Sequence, residues 1–267
     1  MRRSRLAVLA AVTGLLALTA CSAATPQDTA PGAAGSTSAP ASSGGGSRVV
    51  TVLAAASLTE PFTALATAYE QQHPGVTVAL SFGSSTTLAQ QIAEGAPADV
   101  YASAGESALA MLPADAAADG GREVVARNTV EIAVPPDNPG SVSSLADLAD
   151  PDLDVVLCAE TVPCGAAADQ VLAKAGVTPH VVSREIDVKA TLTKVTLGEA
   201  DAAMVYHSDV VSAGADVEGV EVPAADNVVL TYPLLWFSKD RDVAGFARFV
   251  ASPQGTAALT KAGFLAP

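Results

Sequence analysis

The chain has 267 residues, 49% of them hydrophobic, which is enough for one large domain or for two lobes with proper cores. Acidic residues outnumber basic ones by 28 to 14, which gives a formal net charge of −14. This excess of negative charge argues against nucleic acid or an anionic membrane surface as a binding partner.

The N-terminus has the pattern of a secretion signal. Arg2, Arg3 and Arg5 precede the uncharged run LAVLAAVTGLLALTA, and Cys21 follows that run directly. About 15 apolar residues fall short of the roughly 20 that a membrane-spanning helix needs. The letters LTAC resemble a bacterial lipobox, so we predict that residues 1–20 are removed and that the Cys21 thiol receives diacylglycerol. Removal would leave 11 basic and 28 acidic residues, a net charge of −17.

The next segment contains almost nothing that can be buried. Its composition of small residues, serine, glycine and proline predicts that residues 21–47 form a flexible tether and that the folded part begins near Arg48. Cys158 and Cys164 would then lie outside the cytoplasm, where disulfides persist. A disulfide between them is our expectation, although the short spacing alone does not prove it.

From Arg48 onward, strand patterns alternate with helix patterns. The first set runs from the strand RVVTVLAA through the helix LTEPFTALATAYEQQ, and a second set of the same kind begins at TVEIAVPPDNP. This alternation predicts an α/β fold with two lobes, each a mostly parallel sheet flanked by helices, and a ligand cleft between the lobes. We expect residues 48–128 and 232–267 to form the first lobe and residues 129–231 to form the second.

Four of the predicted helices start with small, hydroxyl or capping residues directly after a strand. Ser57 with Glu60 fits a capping box. Helix N-termini present unpaired N–H groups and partial positive charge, and in open α/β sheets they face the crevice where ligands bind. A single serine at such a turn is usually only a cap, so the interpretation depends on the recurrence. The four starts are at Ser57, at Ser84 to Thr87, at Pro163 to Gly165, and at Asp187.

Several segments together resemble the periplasmic molybdate-binding proteins of ATP-driven import systems. The resemblance extends over nearly all of Arg48 to Pro267 and is carried by VTVLAAASLTEPF, SFGSSTTLAQQIAEGAPADVYASA, VPCGAAADQVL, AAMVYHSDV and SPQGTAALTKAGF. It implies two α/β lobes joined by a hinge, one tetrahedral oxyanion held between them, and delivery of that anion to a permease in the membrane.

The resemblance also implies a set of ligand-binding residues. Ser57 and Ser85 would donate hydroxyl and backbone hydrogens from the first lobe. Across the cleft, Cys164 and Val188 would offer backbone N–H groups and Tyr206 its phenol. The expected ligand is molybdate or tungstate, with no cofactor and with no metal bound as a cation, since molybdenum would enter only as the oxyanion.

Two positions call for comment in the light of this resemblance. Cys164 stands where relatives often have alanine, which a backbone donor tolerates, and a disulfide to Cys158 would stiffen the loop beside the ligand. Lys189 follows Val188 directly and could bring a charge near the anion, but we expect it to be a solvated helix residue.

Other classes of protein fit the sequence less well. As nucleophiles, Ser57 and Ser85 lack the G-x-S-x-G context and an evident histidine partner, so we expect no catalytic activity. A purely structural lipoprotein would leave the recurrent helix starts without a purpose. A related binding protein for sulfate, phosphate or a small organic acid stays open as the alternative. We expect a monomer outside the cytoplasm, anchored to the cell membrane by the lipid on Cys21.

Overall fold

The computed structural model describes residues 48–267, so the predicted signal segment, the tether and Cys21 lie outside the described residues. The strands are β1 Arg48–Ala55, β2 Val76–Gly83, β3 Val100–Ala102, β4 Gly121–Val134, β5 Val155–Cys158, β6 Val181–Glu185, β7 Ala202–Tyr206, β8 Glu218–Glu221 and β9 Val229–Trp236. The α-helices are α1 Thr59–Gln72, α2 Ser85–Ala93, α3 Pro163–Ala175, α4 Val188–Thr196, α5 His207–Ala213, α6 Arg241–Val250 and α7 Pro253–Lys261.

The strands form one continuous sheet with two parallel groups. Their order is β2-β1-β3-β9-β4-β7-β5-β6, and β8 pairs with β4. Strand β1 is parallel to β2 and β3, and β5 is parallel to β6 and β7. We refer to the part around β1–β3 as the first lobe and to the part around β5–β7 as the second lobe. The predicted two-lobed α/β class is confirmed.

The centre of the sheet is antiparallel, which the sequence did not predict. Strand β4 pairs with β9 from Gly121 to Thr129 and with β7 from Val130 to Ala133. Because β4 leads the chain into the second lobe and β9 brings it back, these two strands run in opposite directions and carry both connections. The exact lobe boundaries stay a prediction.

One face of α1, together with the residue just before it, is apolar and is buried against this sheet. Leu58, Phe62, Leu65 and Tyr69 are each at most 2% exposed. Burial of each of these side chains stabilises the fold by about 1.5–3 kcal/mol relative to exposure. This apolar face fixes α1 on the first lobe, and the turn that precedes α1 is thereby held at the carboxyl end of β1.

Candidate functional site

A small cavity lies where the four predicted helix starts meet, between the two lobes. Its volume is at most about 220 Å³, below the roughly 300 Å³ at which sites for drug-sized ligands begin. The five residues that the resemblance implied for the ligand all line it, so the structure brings the whole set together. The lining comprises Ala55, Ala56, Ser57, Gly83, Ser84, Ser85, Ala104, Val162, Pro163, Cys164, Asp187, Val188 and Tyr206.

Ser57 lies in a single 3₁₀ turn, Ala56–Leu58, that separates β1 from α1. The predicted capping box of Ser57 with Glu60 is therefore wrong: the N-cap of α1 is Leu58, and no side chain caps it. The extra turn frees the Ser57 hydroxyl, whose oxygen lies 3.0 Å from the Tyr232 hydroxyl oxygen. Ser57 thus meets the cavity as a buried side chain rather than as a helix cap.

Ser85 is the first residue of α2 and is only 1% exposed. Its Oγ accepts a hydrogen bond from the Ala104 backbone N–H at 2.9 Å. The Tyr101 hydroxyl donates to the Ser85 carbonyl at 2.7 Å. With its oxygen already engaged as an acceptor, the Ser85 hydroxyl is left with its own hydrogen to donate into the cavity.

Ser84 is a lining residue that the sequence reasoning did not assign to the site. It is the N-cap residue of α2, but its side chain makes no capping hydrogen bond. Its Oγ is buried and has no hydrogen-bond partner within residues 48–267. The signal was present in the sequence, since Ser84 opens the hydroxyl cluster after β2, but nothing there distinguishes it from Ser85.

The second lobe presents two helix starts to the cavity. Cys164 lies in the first turn of α3 and Val188 is the first residue of α4, so their N–H groups belong to the unpaired set at each helix start. Asp187 caps α4 as predicted, because its Oδ1 accepts from the Ala190 N–H at 2.9 Å. Gly165 permits the close approach of α3, since a Cβ there would lie 2.0 Å from the Ala159 carbonyl oxygen.

Tyr206 ends β7 with its side chain buried beside the cavity. The residue is 2% exposed, and its hydroxyl has no hydrogen-bond partner in the described part of the chain. Burial raises the pKa of Tyr206 well above its usual value, with the neighbouring Tyr232 and Asp209 adding to the effect. The phenol therefore stays protonated at neutral pH and is a neutral donor.

Lys189 is not the solvated helix residue that we expected. Its Nζ lies 2.9 Å from Glu60 Oε1 in the first lobe and 3.5 Å from Asp209 Oδ1 in the second. It also donates to the Ser212 hydroxyl at 2.9 Å. Lys189 does not line the cavity, and its charge is used to connect the two lobes. The expectation was wrong because both acidic partners are distant in sequence and become neighbours only in the fold.

Asp209 is the buried member of this ion-pair group. Its carboxylate is fully buried and accepts from the Tyr206 backbone N–H at 3.2 Å. Burial raises the pKa of Asp209 to about 7, although the nearby Lys189 opposes that rise.

A second contact between the lobes joins the Thr86 hydroxyl to the Thr161 carbonyl at 3.0 Å. The structure thus has the two lobes in contact around the cavity.

Cys158 and Cys164 are joined by a disulfide in this structure, with their Cα atoms 5.7 Å apart. The bond connects the end of β5 to the first turn of α3, next to the backbone N–H proposed for the ligand. Closure of so short a loop should stabilise the fold by about 2 kcal/mol by the chain-entropy model.

We therefore expect reduction to lower the free energy of unfolding by about 2 kcal/mol. Denaturation with and without a reductant measures this, and a Cys158→Ala, Cys164→Ala double variant is the control that reductant should not affect. Mass spectrometry of unreduced peptides from freshly purified protein should find the two cysteines linked. Two alkylatable thiols there, or equal unfolding curves, would contradict the expectation.

The part of the chain that the structure describes has no group of three or more His, Cys, Asp or Glu residues arranged to hold a metal ion. Across the same residues, no helix is long and apolar enough to cross a membrane. Apart from the Asp187 carboxylate, the polar groups that line the cavity are neutral N–H and O–H donors. Such donors hold an anion through charge-assisted hydrogen bonds and helix-end dipoles.

Two lobes around a small cavity rich in donors define the general architecture of a solute-binding protein. Residues 50–265 match the family model described as bacterial extracellular solute-binding protein. The chain belongs to this family.

The relatives within the family narrow the comparison. The chain is 36% identical over 233 residues to the molybdate-binding protein ModA of Mycobacterium tuberculosis, covering 86% of this chain and 89% of that protein. This confirms the resemblance found in the sequence. Among solved structures, the periplasmic molybdate-binding protein of Azotobacter vinelandii matches with a TM-score of 0.71 and 23% identity, over 82% of this chain and 99% of that one.

A protein that is named for a different ligand has an equally similar fold. The sulfate-binding protein SubI of Mycobacterium tuberculosis matches with a TM-score of 0.71 and 20% identity, over 81% of this chain and 86% of that one. At such identities the structural matches establish the fold alone. The shared fold therefore does not distinguish a molybdate site from a sulfate site.

Proposed function

We propose that this protein captures molybdate outside the cytoplasm and delivers it to an ATP-driven import permease. The observation that carries the proposal is the convergence of four helix starts and several hydroxyls on one small cavity. The named molybdate-binding relative at 36% identity supports the choice of anion. The protein acts as a binding protein without catalytic activity, and we expect it to be a monomer.

In this proposal, five residues bind the anion directly. Ser57, Ser85 and Tyr206 donate O–H groups, while Cys164 and Val188 donate backbone N–H groups. Two buried hydroxyls in the lining, those of Ser84 and Tyr206, lack a protein partner among the described residues, which supports a ligand as their acceptor. Burying neutral donors without a ligand costs less free energy than burying charged groups, and neutral donors bind a dianion without a formal positive charge.

Tungstate should bind as well as molybdate does. The two ions are near-identical tetrahedral dianions, and donors at fixed positions have little basis for distinguishing them. Sulfate has the same charge but shorter bonds, so a cavity sized for the larger ions would leave some hydrogen bonds stretched. A binding protein for sulfate, phosphate or a small organic acid is the alternative, and the fold shared with a sulfate-binding protein is the observation in its favour.

A ligand screen by native mass spectrometry tests the proposal. The mature protein, freed of bound anions, is offered molybdate, tungstate, sulfate, phosphate and small organic acids together. We expect one molybdate or tungstate per chain as the dominant mass shift. Retention of sulfate, phosphate or an organic acid against excess molybdate would overturn the proposal in favour of the alternative.

We further propose that the mature protein is attached to the membrane through lipid on Cys21. This follows from the arginines and the LTAC letters of the sequence. Cys21→Ala should move the protein from the membrane fraction to the soluble fraction, and Ser22→Ala is the matched control that should stay in the membrane fraction. Wild-type protein found in the soluble fraction would contradict the anchoring.

A further inference from the structure

A buried chain of polar side chains lies behind the cavity and ends at Ser57, its one member that lines the cavity. It runs from Ser208 on α5 through Asn128 on β4 and Tyr232 on β9 to Ser57. All four side chains are at most 3% exposed. Hydrogen bonds between buried groups have definite directions, because each proton must have an acceptor.

The direction of this chain is fixed at Asn128. Its Oδ1 accepts from the Thr129 backbone N–H at 3.0 Å, and the backbone amide can act only as a donor there. The Asn128 Nδ2 must therefore face the other way as a donor. It donates to Ser208 Oγ at 2.8 Å and to the Tyr232 hydroxyl oxygen at 3.3 Å.

The hydrogen bond from Asn128 also determines the direction of the hydrogen bond between Tyr232 and Ser57. Its hydroxyl oxygen accepts from Asn128, so its own proton has one described acceptor left, the Ser57 Oγ at 3.0 Å. Burial raises the pKa of Tyr232, so that proton is present at neutral pH. With the Tyr232 proton donated to Ser57, the hydrogen of Ser57 has no described acceptor and is left for a ligand in the cavity.

We propose that Tyr232, oriented by Asn128, is a positioning residue that fixes Ser57 as a donor and so makes the site select oxyanions without a proton. The inference rests on the proposed function and deepens it. A hydrogen phosphate ion has a proton that needs an acceptor, and a serine with a free orientation could supply one. With Tyr232 donating to it, Ser57 could accept a proton from the ligand only by turning its own hydrogen away from the ligand, where no described group accepts that hydrogen. Ser85 is fixed as a donor in the same way, because its oxygen accepts from the Ala104 N–H.

Asp187 is the lining residue that could oppose this selection, because its carboxylate could accept a proton. Its Oδ1 already accepts from the Ala190 N–H as the cap of α4. If the Asp187 carboxylate accepted the proton of hydrogen phosphate, the wild-type protein would bind hydrogen phosphate strongly. That outcome would overturn the inference and assign the acceptor role to Asp187.

The test compares sulfate with hydrogen phosphate, which are tetrahedral dianions of similar size, and only hydrogen phosphate carries a proton. Each is measured by its displacement of molybdate from the full mature protein at about pH 8, in wild type and in Tyr232→Phe. The wild type should prefer sulfate. Tyr232→Phe keeps the ring but frees Ser57 to accept the proton of hydrogen phosphate. We therefore expect the ratio of the sulfate affinity to the hydrogen phosphate affinity to fall by about tenfold, while molybdate binding weakens only a few-fold.

Two controls separate this role from a structural one. Tyr69→Phe also removes a buried tyrosine hydroxyl, one that donates to the Asp242 carbonyl far from the cavity, and it should keep the wild-type preference. If Tyr232→Phe does not fold, Asn128→Asp tests the same chain, because a carboxylate would draw the Tyr232 proton away from Ser57. Its added charge acts on both dianions alike and leaves their ratio unaffected.

The outcomes distinguish the inference from the proposed function. Wild-type protein that fails to bind molybdate would contradict the proposed function. Wild type that binds molybdate, together with a folded Tyr232→Phe or Asn128→Asp that keeps the full preference for sulfate, would overturn the role of Tyr232 alone.

Discussion

Ser85→Ala is expected to weaken molybdate binding by roughly 10- to 150-fold. The Ser85 hydroxyl is buried at the start of α2, and its oxygen is held by the Ala104 N–H. Under the proposed function its hydrogen is donated to a dianion, and a hydrogen bond to a charged partner contributes about 1.5–3 kcal/mol. Isothermal titration with molybdate measures the loss. Ser57→Ala should give a loss in the same range.

The control has to account for the second role of Ser85. Alanine at this position leaves the buried Ala104 N–H without its acceptor, which lowers stability as well as affinity. Ser103→Ala is a suitable match, because Ser103 is fully buried on the neighbouring loop and donates to the Gly105 carbonyl, but does not line the cavity. Ser103→Ala should bind molybdate like wild type. Equal affinities for all three proteins would exclude Ser85 as a ligand residue.

Lys189→Met is expected to destabilise the protein at alkaline pH much more than at acid pH. The Lys189 Nζ lies near the fully buried Asp209, whose pKa burial raises to about 7. Between the unfolded pKa near 4 and the folded pKa, the unfolded state loses the Asp209 proton first, so stability falls as pH rises. Removal of Lys189 raises the folded pKa further and extends that fall to higher pH.

At about pH 5 Asp209 is protonated in both proteins, and the variant should lose little stability. Above about pH 8 the variant must either bury an unpaired Asp209 carboxylate or keep Asp209 protonated. Either state lowers the free energy of unfolding, and we expect a loss on the order of 2 kcal/mol. Urea denaturation of both proteins without ligand, at the two pH values, measures the difference. Lys194→Met is the control on the same helix, because its partner Glu199 is half exposed and no pH-dependent loss should follow. A loss from Lys189→Met that is equal at both pH values would contradict this account.

The sequence was a good guide where the relevant signals are local. The strand RVVTVLAA and the apolar face of α1 follow from short-range patterns, and the structure has both. The four helix starts could also be found locally, since each lies within a few residues of the end of a strand. Their convergence could not, because it depends on how the chain crosses between the lobes through β4 and β9.

The errors have the same origin in long-range contacts. The sequence around Ser57 and Glu60 satisfies a capping box, but a 3₁₀ turn intervenes and Glu60 instead pairs with Lys189, 129 positions away. Tyr232 reads in sequence only as one more aromatic residue of a strand. Its contact with Ser57 spans 175 positions and is visible only in the fold.

Titration calorimetry of the mature protein with molybdate, tungstate, sulfate and phosphate is the most direct test of the central claim. If the proposed function is right, each chain has one site, which binds molybdate and tungstate equally and tightly. Sulfate and phosphate should bind far more weakly, by much more than the tenfold that corresponds to about 1.4 kcal/mol. Sulfate or phosphate binding as tightly as molybdate, or no binding of molybdate by the folded protein, would contradict the account.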